Sequence, residues 1–269
     1  YLRGGFIKIL LSLFFYISKF LFSFYNKSME HIYQSIVLYT KDIAEADRIY
    51  TLYTKEAGKM RVIGKGVRRP RAKLAGFLEP VTWSQISIVQ KRGLGKITGA
   101  VPVNNFSRVK SNFSLLEQVF FVFQSLDRLV SEQEKDEAVF NLLTAYLECL
   151  ENMSQENIEN EKLRLLTCAF FTKLLGELGY QMEVCRCVNC ERVLSPSSNY
   201  FSAARGGVLC GECCGLEKHR VAVRDGTIKL IRIFLQNKLN SSLKLRVSRE
   251  DTKNISLIIR ELLLWIIGS

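Results

Sequence analysis

Between residues 32 and 103 apolar and polar positions interchange in short runs separated by glycine-containing turns, the texture of β-strands. The pattern predicts five of them. Ile32 to Lys41 and Arg48 to Thr54 are rich in Ile, Val, Thr and Tyr, and Lys59 to Arg69 follows the turn-forming Gly58. Trp83 to Gln90 alternates with near period two, and Lys96 to Val103 follows Gly93 and Gly95. Beyond residue 110 the period lengthens. Leu115, Leu116, Val119, Phe120, Phe123, Leu126 and Leu129 recur at steps of three and four, the stripe of an amphipathic helix. Further helices are predicted over 137–150, over 158–178 with Gly179 as its stop, over 227–238 and over 252–267.

Five short strands in so few residues suit a small closed barrel of the oligonucleotide-binding (OB) type, which leaves one strand face open to a ligand. The fold class read from the pattern is therefore α+β and multidomain: a five-stranded OB-fold β-barrel, then an α-helical domain with an inserted four-cysteine zinc site. The expected division is 29–108 for the barrel, 109–183 and 216–269 for the two parts of the helical domain, and 184–215 for the insertion.

Composition adds where the charge sits. The 269 residues carry a formal charge of +12, which favours polyanionic partners. Residues 29–108 hold fourteen Lys and Arg against six acids, a surplus of +8, residues 1–28 hold +4, and the remainder is neutral. The basic character thus belongs to the barrel segment and the leading residues.

Residues 1–28 stand apart. They begin with Tyr1, and the run from Phe6 to Tyr25 is broken only by Lys8 and Lys19 among its charged residues, long enough to span a bilayer. One reading is a membrane anchor. The other, which we favour because Phe, Leu, Ile, Tyr, Lys, Ser and Asn dominate and Met29 follows directly, is upstream sequence translated ahead of a start at Met29. A secretory signal is disfavoured by the lack of a small-residue cleavage site.

Six of the eight cysteines fall within 185–214, where Cys187-x-x-Cys190 and Cys210-x-x-Cys213 are nineteen residues apart. Two such knuckles place two thiolates each on a tight turn and complete a tetrahedron around zinc. Cys187, Cys190, Cys210 and Cys213 are the expected ligands of one structural Zn2+, with Cys185 and Cys214 as possible substitutes and Cys149 and Cys168 as core residues. Four thiolates leave no open position for water. The two histidines, His31 and His219, lie in no H-x-E or H-E-x-x-H arrangement, and no phosphate-binding G-x-x-x-x-G-K-[ST] occurs. With no nucleophile and base pair to name, the chain reads as a non-enzyme.

The second chemical feature is Lys59, Arg61, Lys65, Arg68, Arg69, Arg71 and Lys73, seven cations in fifteen residues without an acid. In one extended strand Lys59, Arg61, Lys65 and Arg69 project to one side, where successive same-side positions lie about 6.5–7 Å apart, near the phosphate spacing of a single strand. This predicts backbone binding of single-stranded DNA. Tyr39, Tyr50, Tyr53, Phe77 and Trp83 offer rings for base stacking, although each is more simply a core residue.

The order of basic barrel, helices, cysteine insertion and further helices resembles the RecO family of recombination mediators. The likeness runs from Ser35 to about Trp265. It is most specific from Ser35 through Met60, in Gly64-Lys-Gly-Val-Arg-Arg-Pro and in Leu74-Ala-Gly-Phe-Leu-Glu-Pro. The resemblance implies a DNA-binding OB-fold, DNA repair and homologous recombination as the process, and annealing of complementary strands. It also implies RecR as a partner, with RecA loaded onto strands coated by single-stranded-DNA-binding protein, in the cytoplasm at the nucleoid. Residues 1–28 have no counterpart in the family pattern, and a short basic tail is expected beyond Ser269. Two other functions stay open from the residues: a zinc-stabilised adaptor whose ligand is protein, and a membrane-anchored basic protein meeting anionic headgroups.

Overall fold

A computed structural model describes residues 30–43, 45–70, 72, 74–90, 93–153, 160–196 and 198–268. Both readings of residues 1–28, and the contacts expected of Arg71 and Lys73, lie outside the described residues. The five expected strands are β1 (Glu30–Asp42), β2 (Arg48–Thr54), β3 (Gly58–Gly64), β4 (Trp83–Val89) and β5 (Gly95–Asn104). They close a barrel in the order β1-β2-β3-β5-β4, antiparallel except where Val62 and Ile63 of β3 run parallel to Gly95 and Lys96 of β5. The closure rests on those two pairs, and the start of β3 is bridged instead from Lys59 to Glu132. Val37, Tyr50, Leu52, Met60, Val62, Ile86, Ile88 and Ile97 fill the interior, so Tyr50 is a core residue and not a stacking platform.

The helical body consists of α1 (Ser107–Ser111), α2 (Phe113–Leu129), α3 (Glu137–Glu151), α4 (Asn160–Glu177), α5 (Asp225–Gln236) and α6 (Arg249–Gly268). Asn112 and Asp136 cap α2 and α3, their side-chain oxygens accepting from the N–H groups of Leu115 and Val139 at 3.1 and 3.0 Å. Helix α4 is buried nearly all round, with every residue from Leu165 to Thr172 in the interior, as befits the central helix of a bundle. Between α4 and α5 the chain forms a three-stranded sheet of β6 (Asn199–Ser202), β7 (Gly207–Leu209) and β8 (Val221–Val223), in the order β7-β6-β8.

One continuous core joins the two parts. Ile36, Leu38, Tyr53 and Val81 of the barrel segment belong to the same buried cluster as the helices. Tyr39 meets Phe123 edge-on at 6.4 Å and Trp83 meets Phe140 at 6.1 Å. The seam is also polar. Lys59 is buried, with its Nζ 3.1 Å from an Asp127 carboxylate oxygen and hydrogen-bonded to the Asp127 carbonyl. Arg61 pairs with Glu132 at 2.6 Å, Lys55 with Glu137 at 2.9 Å, and the Gln133 N–H donates to the Lys59 carbonyl at 2.7 Å.

Gly58, at the β2–β3 turn, is the tightest point of this seam. Its φ is +67°, and a Cβ there would lie 1.9 Å from the Glu134 carbonyl oxygen. Left-handed backbone is costly for alanine and a backbone atom cannot swing aside, so Gly58→Ala should destabilise the protein by about 2–3 kcal/mol. Chemical denaturation checks this; a midpoint unchanged from wild type would show that the seam yields freely.

Candidate metal centre and nucleic-acid interface

The cysteine unit is assembled from two turns facing each other. The first follows Glu183, whose carboxylate accepts from the Cys185 and Arg186 N–H groups at 2.6 and 3.0 Å. Those two bonds hold the Glu183 carboxyl below its usual range, since they favour the anion. Cys187 then donates its N–H to Arg192 and accepts from Glu191, which sits at φ +60° to turn the chain back. The second turn leaves β7, and the Cys213 N–H donates to the Cys210 carbonyl at 3.0 Å. Gly207 allows the two turns to meet, because a Cβ on it would lie 2.6 Å from both the Glu183 carbonyl oxygen and Val188 Cγ1.

This folding brings the Sγ atoms of Cys187, Cys190, Cys210 and Cys213 within 4.8 Å of one another, with Cys190 and Cys210 at 3.8 Å. Tetrahedral Zn–S bonds of about 2.3 Å require sulfur separations of about 3.8 Å, so the donor set fits zinc in number, softness and spacing. It is the one group of metal-ligating side chains so gathered among the described residues. Burial works against ionisation of Cys187, but N–H groups of Cys190, Cys210 and Asn189 outweigh it and bring the thiol down to about 6. A hydrogen bond from Asn189 lowers the Cys213 thiol, but burial and then the sulfurs of Cys210, Cys190 and Cys187 outweigh it and push it up to about 12. Four thiolates at this distance repel one another unless a cation lies among them.

The remaining sulfurs separate as expected or nearly so. Cys185 is exposed, and Cys214 turns its Sγ to the Gly211 carbonyl at 3.0 Å. Cys168 is buried beside Ser256 and burial raises its thiol to about 11, while Cys149 is half-buried. Sequence spacing did not reveal the pairing of Arg192 with Glu212, which straps the first knuckle to the second across the sulfurs. Two charges of opposite sign, each one or two residues from a ligand, were the signal available.

The basic segment differs from its expected form. Strand β3 ends at Gly64, and Lys65 to Arg68 form a turn, so Lys59, Arg61, Lys65 and Arg69 do not share one extended strand face. The cause is local: Gly66 takes φ +69°, its N–H donates to Asp47 Oδ1 at 2.8 Å, and the Arg68 N–H donates to the Ala46 carbonyl at 3.1 Å. The outward positions of β3 nearest the helical body, Lys59 and Arg61, are engaged by Asp127 and Glu132. Lys65, Arg68 and Arg69 are exposed at the far end of the strand, Arg68 lying 3.3 Å from Asp42. Lys96, exposed on β5 beside Ile63, joins them and was not singled out by the sequence pattern. Of the proposed stacking rings, Tyr50 and Tyr53 are buried, Tyr39 and Trp83 are packed against the core, and Phe77 is exposed.

A cation-bearing OB barrel joined to a helical body with a four-cysteine metal-type centre defines a class of nucleic-acid-handling protein. Comparison with known proteins is specific beyond that. Residues 29–106 match the family model "Recombination protein O N terminal", and residues 120–269 match "Recombination protein O C terminal". The chain is similar to the protein named "DNA repair protein RecO" of Dehalococcoides mccartyi strain CBDB1, 30% identical over 227 residues, covering 84% of this chain and 87% of that one. Its namesake from Roseiflexus sp. strain RS-1 is 28% identical over 225 residues, 82% and 77% of the two chains. That from Pelotomaculum thermopropionicum is 29% identical over 231 residues, 86% and 87%. The chain belongs to the RecO family, whose members are mediators of DNA repair and recombination. Among the described residues no helix is long and apolar enough to cross a membrane.

Proposed function

We propose that this protein binds single-stranded DNA on its barrel, anneals complementary strands and, with RecR, helps load RecA onto strands coated by single-stranded-DNA-binding protein. The observation that carries the DNA reading is the exposed cationic end of the barrel, where Lys65, Arg68 and Arg69 project from a turn pinned to the β1–β2 connection and Lys96 lies alongside. Arg71 and Lys73 follow in sequence and extend the basic run. Cations on a rigid turn neutralise phosphates without reading base edges, which gives affinity with little sequence preference. Two strands screened in this way repel each other less while their pairing edges stay accessible. Family membership supports the proposed roles with RecR and RecA and a place in the cytoplasm at the nucleoid. The four cysteines hold one zinc ion that stabilises the fold, and no chemical step is assigned to the protein.

Annealing of two complementary labelled oligonucleotides, followed by fluorescence, tests the proposal. Wild-type protein should accelerate annealing, and strands precoated with single-stranded-DNA-binding protein should still pair. No acceleration at any protein concentration would return the chain to a protein-binding adaptor.

A further inference from the structure

At the seam between barrel and helical body lies a cavity of about 270 Å³, walled by the α2–α3 connection on one side and the end of α4 on the other. Three of its lining residues are acids, Glu134, Asp136 and Glu177, against one cation, Lys135. Its barrel-side wall is Tyr53, 1% exposed, whose hydroxyl has no hydrogen-bond partner among the described residues. An orphaned buried hydroxyl is costly and rare, so it marks a place where an incoming group supplies the partner. Burial, followed by Asp136 and Glu134, pushes the Tyr53 phenol well above its usual range, so the group stays neutral and keeps lone pairs for a donor. Leu178 and the half-exposed Tyr180 line the same space with apolar and aromatic surface.

The chemistry narrows the occupant. Excess negative charge repels phosphate, nucleic acid and acidic peptides. A divalent ion is disfavoured, because the carboxylates are not drawn together to metal-ligating distance. The volume lies below the range of drug-sized ligand pockets and suits a single side chain. A guanidinium offers a planar fork of five donors to acceptors on several sides, and its aliphatic stem and flat face suit Leu178 and Tyr180. We infer that this seam cavity receives one arginine side chain presented by a partner protein.

The test uses the full chain labelled with 13C at tyrosine Cζ, with N-acetyl-arginine amide as the probe. The Tyr53 resonance, assigned from Tyr53→Phe, and that of Tyr180 should shift together and saturate at millimolar probe. Affinity should fall roughly tenfold in Glu134→Gln/Glu177→Gln, about the worth of one charge-assisted hydrogen bond. The other tyrosine resonances report that this variant is folded, and in Tyr53→Phe the Tyr180 signal still reads a weakened response. N-acetyl-norleucine amide should produce no shift. Absence of a saturable shift, an equal response to norleucine amide, or equally strong saturation by spermidine would each overturn the assignment.

Discussion

Cys187→Ser combined with Cys213→Ser should abolish stoichiometric metal binding and unfold the two cysteine knuckles between α4 and β8. Met182, Val184, Phe201 and Val208 tie the sheet side of this segment into the main core, but the knuckle end has little else to hold it. Its own buried cluster comprises Cys187, Leu209 and Cys213, with Val188, Cys190, Leu194 and Cys210 against it, far too small a core to order a unit of this size. For such units binding energy is folding energy, apparent values for structural zinc being about 10–16 kcal/mol at neutral pH. Cys187 and Cys213 are the most buried of the four ligand positions, so the double variant also places two hydroxyls where sulfurs packed. Elemental analysis should find zinc near one per wild-type chain and near none in the variant, with new proteolytic sensitivity confined to 185–214. The interior of the barrel, which shares no residue with this cluster, should remain folded. Full metal content in the variant would move the centre to Cys185 and Cys214.

Replacing Lys65, Arg68 and Arg69 by glutamine should weaken single-stranded DNA binding by about two orders of magnitude at 0.1 M salt. For single strands the slope of log affinity against log salt changes by about 0.7 per phosphate contact, so each lost contact costs roughly fivefold at that concentration and three cost about a hundredfold. The same variant should flatten that slope by about two units, measured by fluorescence anisotropy across a salt series. Arg61→Gln sharpens the test. Glu132 neutralises Arg61 at 2.6 Å, whereas the Asp42 beside Arg68 is already paired with Arg48 at 2.6 Å, so loss of Arg61 should leave the slope as it is. A slope that drops for Arg61→Gln and not for the triple variant would relocate the DNA surface to the seam.

The strands and helices were legible because their periods are long and their ends are marked. β2 occupies Arg48–Thr54 as expected, α3 starts at Glu137 behind its Asp136 cap, and α4 ends at Glu177, just before Gly179. The cysteine pattern is equally local, and the four sulfurs converge as the spacing predicts. What escaped are elements too short for any period: α1, the sheet β6–β8 and the single-turn helices around them. The end of β3 escaped for another reason. Lys65 to Arg69 continue the strand's composition, and what turns the chain is Gly66 together with Asp47, a partner nineteen residues away. The engagement of Lys59 and Arg61 is likewise tertiary, since Asp127 and Glu132 belong to another part of the chain.

The cysteine unit stands in the chain between the central helix α4 and the pair α5 and α6 that packs against it. Docking those last helices requires the polypeptide from 178 to 224 to bend back on itself, and a flexible tether pays more entropy the longer it is. An ion that ties Cys187 to Cys213 cuts out much of that tether, and each halving of a loop lowers the closure cost by about 0.6 kcal/mol. In chain order all four ligands precede α5 and α6, so the site is complete in sequence before those helices. A metal held there would let the last two helices dock on a shortened leash.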